Sequence, residues 1–567
     1  MEPRQPAVRM QWGLQIPTPE GVQLSATLYL PAGRRLPRPA IFVLTPYVAQ
    51  VHHEQGVFFA RHGYSFLTVD VRGRGNSQGV FHPLNDADDG GAVIEWLAQQ
   101  PFCNGRVAMW GGSYSGYSQW ATASRRPPNL ATIVPVASPY RGVDSPIRNN
   151  ICTPYMMRWL TYLSGRTAQD RVFSDLDFWT EQFKHWFCAG KPFRELDTFL
   201  GNPSPLFQEW MEHPERDAYW DGYNPTPEQY RAVDVPILTI TGMYDADQLG
   251  ALAHYREHMK QGSVAARERH FLIIGPWDHS GTRTPKLEFA GLKVGVESLV
   301  DLPKLHVQWY DWVMQDGPRP AFLKNSVAYY VMGADRWRYA SSLEHVTARH
   351  LSLHLHSTIN PTSIADSGFL AEAPSTGGGP DSYIYDPRDV SLVELECTVP
   401  PEDRADHRMV QAAAGKQLVY QTAPFEQATE ISGFFKAILW LSIDQPDTDF
   451  KVSIYEVDEG GGALSLTADW MKARYRRSAR RQELIDSTEP RRYDFENFMF
   501  VSRLVKAGCS LRLVIAPINS IHMQKNYNSG KPAMEESLAD ARVVTVRLFH
   551  DQSCASVLYA PVGQPEG

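Results

Sequence analysis

The sequence predicts an α/β protein: a doubly wound parallel sheet, interrupted by a helical insertion and followed by an all-β domain. Three observations carry this. Short runs that are apolar on both faces recur between residues 39 and 112 and again between 235 and 276, separated by glycine loops and helical periodicity. Residues 140–230 lose strand alternation altogether and are rich in Trp, Phe, Tyr, Met and Arg. Beyond residue 345 short alternating runs return, punctuated by Gly, Pro, Asp and Asn.

The elements follow in order. LQIPTPEGVQLSATLYL (14–30) alternates around Glu20-Gly21, the pattern of a β-hairpin. Ile41–Leu44 and YSFLTVD (64–70) are too short for helices and apolar throughout, as buried parallel strands are. Asp86 to Gln99 carries Ala92, Val93, Trp96 and Leu97 at helical spacing, and the strand RVAMW then runs straight into GGSYSGYSQWAT. VPILTITG (235–242) and HFLIIGP (270–276) resume the sheet. FSDLDFWTEQF and SPLFQEWMEHPERDAYW read as proline-broken helices of a cap over the strands' carboxyl ends, where a lid excludes water. HLSLHLHS, DFKVSIYEV, CSLRLVIAP and ARVVTVRLF predict a sandwich or jelly roll. The STGGGPDS stretch (375–382) reads as an exposed loop. The expected boundaries are a core of 1–140 and 232–345, a cap of 141–231 and a β domain of 346–567.

The chain has 567 residues, 43% hydrophobic and 21% charged, with a formal net charge of −8. That acidity, with no long Lys/Arg run, argues against nucleic acid or an anionic membrane as partner. The N-terminal stretch lacks the apolar segment of a secretory signal, and no window approaches a membrane span. The six cysteines are scattered without a C-x-x-C pair, so buried free thiols, no metal site and a cytoplasmic setting are expected. A homodimer fits a chain of this size.

The sharpest local feature runs from Val107 to Tyr117, an apolar strand turning abruptly into a helix around Ser113. This is the form of a nucleophile elbow, and its strained backbone demands small neighbours two residues away, here Gly111 and Ser115. Ser115 is the alternative nucleophile. A serine needs a histidine base held by a carboxylate, and in the α/β-hydrolase arrangement the chain order is serine, acid, histidine. Asp245 after VPILTITGMY and His279 after HFLIIGPWD satisfy that order, with Asp247 and Asp278 as rival acids. Tyr114 offers its backbone N–H to an oxyanion, and Tyr47, in the loop after an early strand, offers a phenolic O–H or is simply packed.

Taken together, VDVRGRGNSQG, GGSYSG, GMYDAD, GPWDHS, EWMEHPERDAYW, YYVMGADRW, DTDFKVSIYEVD and KNYNSG resemble the CocE/NonD group of serine hydrolases. That group includes cocaine esterase, X-prolyl dipeptidyl peptidases and α-amino-acid ester hydrolases. The resemblance implies an α/β-hydrolase core, an inserted helical cap and a C-terminal jelly roll. It implies a Ser113–Asp245–His279 triad, Tyr47 and the Tyr114 amide as oxyanion donors, and no cofactor. Substrate would be a small-molecule ester or amide, contacted in part by Trp277 within GPWDHS. Members acting on α-amino acyl groups hold the ammonium on a carboxylate cluster, one of which matches Asp247; Gln248 stands where those members carry a second acid, and Asp144 is the cap-side candidate. An α-amino-acyl ester hydrolase or acyltransferase, or an X-Pro-type peptidase, would use the same triad, whereas a non-catalytic binding protein would use the β domain alone.

Overall fold

The computed structural model describes residues 7–33, 37–375, 377–400 and 402–564. Ten strands build the first sheet: β1 (Val8–Pro17), β2 (Gln23–Pro31), β3 (Arg38–Thr45), β4 (Ser65–Asp70), β5 (Cys103–Gly112), β6 (Leu130–Val136), β7 (Ile237–Tyr244), β8 (His270–Asp278), β9 (Val327–Val331) and β10 (Arg336–Ala340). Their spatial order is β1-β2-β4-β3-β5-β6-β7-β8-β9-β10. From β4 to β9 every neighbouring pair is parallel, and the hairpins β1–β2 and β9–β10 close the two edges antiparallel. The interior strands are buried along nearly their whole length, Ala40–Leu44 and Ile237–Ile240 among them, because the sheet is covered on both faces.

The order reverses at β3, which feeds β4 on one side and lies beside β5 on the other. In an open parallel sheet the crevice beyond the carboxyl ends at such a switch is where ligands bind. The loop carrying Tyr47 leaves β3 there, and Ser113 leaves β5 next to it.

Helices Tyr155–Tyr162, Leu176–Ala189 and Pro205–Met211 form most of the insertion. Its aromatic content is largely core: Trp179, Phe183, Trp186, Phe187, Trp210 and Trp220 are all buried. The C-terminal strands, from Thr347–His356 onward, join into a thirteen-stranded network with an apolar interior of its own. The chain is thus an α/β-hydrolase core with a helical insert and a β-rich C-terminal domain. Two local expectations fail. Asp381 and Ser382, read as loop, open the strand Asp381–Tyr385, whose Asp381 side chain is buried because it accepts from Ser357 and Tyr420. All six cysteines are free, but only Cys103, Cys152 and Cys509 are buried; Cys397 and Cys554 are half-buried, and Cys188 is exposed because it lies on the outer face of its helix.

Candidate active site

Ser113 sits between β5 and the helix Tyr114–Ala123 with φ 60° and ψ −128°, a backbone that costs about 1–3 kcal/mol for a residue with a side chain. The sequence around it makes the turn feasible. Gly111 has φ 142°, and a Cβ there would strike Ser115. A Cβ on Gly116 would strike the Val136 carbonyl, so it is position 116, not 115, that requires glycine. Ser115 is buried and its hydroxyl donates to the Leu44 carbonyl at 3.0 Å, which occupies the alternative nucleophile. The Tyr114 amide is the first N–H of the helix and has no intrahelical acceptor, so it is available to an anion.

Tyr47 faces the same crevice. Its hydroxyl oxygen accepts from Trp159 Nε1 at 3.3 Å, leaving the phenolic hydrogen to donate elsewhere, and its ring stacks on Tyr162 at 5.3 Å. A helix of the insertion thus holds both the ring and the hydroxyl of Tyr47. The next residue, Val48, has φ 70°, a strained value for a β-branched side chain. The RGRG loop holds this turn. Asp70 accepts from the Ala49 amide at 2.6 Å, and the fully buried Arg74 donates to the carbonyls of Pro46 and, in the cap, Leu163 and Thr167. A Cβ on Gly75 would collide with that Asp70 carboxylate.

Asp245 follows β7, is completely buried, and has both oxygens engaged. Oδ1 accepts from His279 Nδ1 at 2.7 Å and from the Asp247 amide at 3.0 Å, and Oδ2 accepts from Thr241 Oγ1 at 3.0 Å. This fixes the hydrogen of His279 on Nδ1 and leaves Nε2 as the basic nitrogen. Burial pushes the imidazolium toward neutrality, but the charges of Asp245 and Asp247 outweigh burial and Arg283, so His279 titrates above its ordinary 6.5. Burial also raises Asp245, yet the His279 cation wins and holds it below the usual carboxylate range. Arg283 spans the site: beginning four residues past His279, its guanidinium fills the space beside Gly112, next to Ser113.

The rival acids separate cleanly. Asp278 accepts from the Gly281 amide at 2.6 Å and shapes the turn. Asp247 Oδ2 stands 3.8 Å from His279 Nδ1, and burial lifts its carboxyl to about 6, with Asp245 adding to the rise. The oxygens and nitrogen of Asp245, Asp247 and His279 lie within 4.8 Å of one another, a donor set a cation would accept only by displacing the Asp245–His279 hydrogen bond. Asp144 accepts from the Tyr140 and Gly250 amides, and burial with the nearby Asp247 charge raises it well above the carboxylate range.

Trp277, expected to contact substrate, is structural, and so is Gln248, which stands where related members carry a second acid. Trp277 is 1% exposed, donates to the Ser298 carbonyl at 3.1 Å and packs on Trp337, so it is core and does not contact substrate. Gln248 is buried and braces the domains, donating to Met243 and Phe500 carbonyls while accepting from the Phe500 amide. Trp159 and Arg283 carried no sequence signal, because each meets a partner far along the chain, Tyr47 and Gly112, whereas Thr241 lies four residues before the Asp245 it holds, on a buried strand whose apolar run hides its role.

The comparisons with known proteins agree with this architecture. Residues 20–281 match the X-Pro dipeptidyl-peptidase (S15 family) model, and residues 324–553 match the X-Pro dipeptidyl-peptidase C-terminal non-catalytic domain. The chain belongs to the S15/CocE family of serine hydrolases. It is an esterase or peptidase of that family. A cocaine esterase from Rhodococcus sp. (strain MB1 Bresler) is 24% identical over 579 residues, covering 97% of this chain and 98% of that protein. An α-amino acid ester hydrolase structure superposes with a TM-score of 0.84 at 19% identity, covering 99% and 97%. An aminopeptidase structure from a marine sediment Thaumarchaeota archaeon gives 0.82 at 19% identity over the same shares. Among the described residues no helix is long and apolar enough to cross a membrane.

Proposed function

We propose that this S15-family hydrolase cleaves a carboxylic ester, or an activated amide, of a small molecule through an acyl-enzyme on Ser113. The observation that carries the reading is the Asp245–His279 hydrogen bond, which presents a basic Nε2 at the sheet edge where the strained Ser113 emerges. His279 takes the Ser113 proton as the oxygen attacks the carbonyl. Asp245 steadies the imidazolium, and the Tyr114 amide and Tyr47 hydroxyl receive the oxyanion. The proton then passes from Nε2 to the leaving atom, and water repeats the sequence on the acyl-enzyme.

Tyr47→Phe keeps the ring and its stack on Tyr162 but removes the donor. A fall in kcat of about 10²–10³ with little change in KM is expected from steady-state kinetics on a p-nitrophenyl ester. An unchanged kcat would remove Tyr47 from the oxyanion hole.

The pH dependence follows from His279. The base works only when neutral, and its acidity is weakened by two carboxylates, so kcat/KM should rise through a midpoint above 6.5 as pH increases. Asp247→Asn deletes one of those charges at 3.8 Å, so the acid limb should move to lower pH. A limb that stays put, or moves upward, contradicts this arrangement.

A second reading has a specific observation behind it: Asp247 stands beside His279, where the Asp245 charge adds to the rise of its carboxyl, and both charges help raise the buried Asp144. An α-ammonium on the acyl group would relieve that repulsion, making the protein an α-amino-acyl ester hydrolase or an aminopeptidase-like enzyme. A phenylglycine methyl ester preferred roughly tenfold over its desamino counterpart, with the preference lost in Asp247→Asn, would establish it.

A further inference from the structure

We infer that Arg283 anchors a free carboxylate on the substrate, a group separate from the carbonyl that Ser113 attacks. The inference rests on the Ser113 reading and extends it to substrate class.

The turn after β8 delivers this arginine to the nucleophile. The Thr282 amide donates to the Asp278 carbonyl, its hydroxyl donates to the His279 carbonyl, and the Arg283 amide donates to Ser280, so the chain turns tightly just past the base. The side chain then reaches the end of β5. A Cβ built on Gly112 would stand 2.4 Å from Arg283 Nη1 and 3.1 Å from its Cδ. Gly112 immediately precedes Ser113, so the guanidinium fills the place that a side chain at position 112 would take.

The guanidinium is unmatched. Among the described residues it makes no hydrogen bond and no ion pair. Nη1 is buried without an acceptor, while the residue as a whole is only half-buried, which leaves its remaining N–H groups within reach of a ligand. The neighbouring acids are taken. Asp245 accepts from His279 Nδ1 at 2.7 Å, Asp247 Oδ2 stands 3.8 Å from the same nitrogen, and Asp278 accepts from the Gly281 amide. Other arginines at these strand ends are satisfied: Arg72 pairs with Asp89 and Glu20, and Arg74 donates to carbonyls. The charge of Arg283 is felt in the site, where it opposes protonation of His279.

A charged donor shut away without an acceptor is costly, and a ligand that supplies the acceptor removes that cost. The planar fork of a guanidinium matches the two oxygens of a carboxylate. One cation beside the charges of Asp245 and Asp247 suits a singly charged anion better than a dianionic phosphate. The carboxylate can belong to the acyl half or to the leaving half, and the two arms of the test tell these apart.

In the acyl arm, p-nitrophenyl hexanoate is compared with the monoester of adipic acid, and the octanoate with the monoester of suberic acid. In the leaving-group arm, phenyl acetate is compared with the acetate esters of 3- and 4-hydroxybenzoic acid. Each kcat/KM is divided by that ester's own hydroxide rate constant, which cancels intrinsic reactivity. The parent should favour the carboxylated ester roughly tenfold in one arm, mainly through KM, and Arg283→Gln should erase the preference. Gly112→Ala is the second variant, because its methyl group displaces the guanidinium while leaving Arg283 in the chain; the preference should fall there too. No preference in either arm of the parent, or a preference that survives Arg283→Gln or Gly112→Ala, overturns the anchor. Ser113→Ala on the neutral esters separates the two claims. Survival of that activity would sink the Ser113 reading, whereas its loss with no carboxylate preference in the parent would sink the anchor alone.

Discussion

Ser113→Ala is expected to lower turnover of a p-nitrophenyl ester by about a millionfold, leaving only what the oxyanion donors and binding supply. The size of the effect follows from the covalent route. Without the oxygen, His279 has no proton to take and the reaction is left with direct attack by water. The substitution is mild for the fold. Alanine keeps the Cβ, and the residue caps no helix N–H with its side chain. Circular dichroism and the thermal midpoint should therefore match the parent. A loss confined to about tenfold would mean that another group carries the acyl chain. Ser115 is the natural suspect, yet it would first have to give up its bond to Leu44.

Asp245→Asn is expected to reduce kcat by about 10⁴. The carboxylate accepts the Nδ1 hydrogen at 2.7 Å and, fully buried, has no water to replace it. An amide at that place turns an N–H toward Nδ1 and favours the opposite tautomer, which puts the hydrogen on Nε2 where the base is needed. Asp247 is the only rival within reach of Nδ1 among the described residues, at 3.8 Å. A loss of merely tenfold in Asp245→Asn, turning severe when Asp247→Asn is added, would make Asp247 the orienting acid instead.

Much of this was legible in the sequence because apolar runs and tight turns are local. The strand before Ser113, the strands before Asp245 and His279, and the Glu20-Gly21 hairpin each announce themselves within ten residues. The positions of Ser113, Asp245 and His279 just beyond their strands then place them on one sheet edge, since parallel strands carry their carboxyl ends to the same side. Long-range contacts gave no such signal. The hydroxyl of Tyr47 is aimed by Trp159, 112 residues away. Nothing near Gln248 in the chain announces that its amide meets Phe500, 252 residues away. Trp277 closes an apolar run beside His279, but the pleat turns its ring inward, onto Trp337.

Mapping the site of covalent modification tests the central claim most directly. Active protein is treated with a fluorophosphonate, digested, and its peptides are sequenced by mass spectrometry. The account predicts a single stoichiometric adduct on Ser113, formed in step with loss of esterase activity and absent in Ser113→Ala. An adduct on Ser115 or elsewhere that tracks inactivation, or full activity retained after Ser113 is labelled, would contradict it.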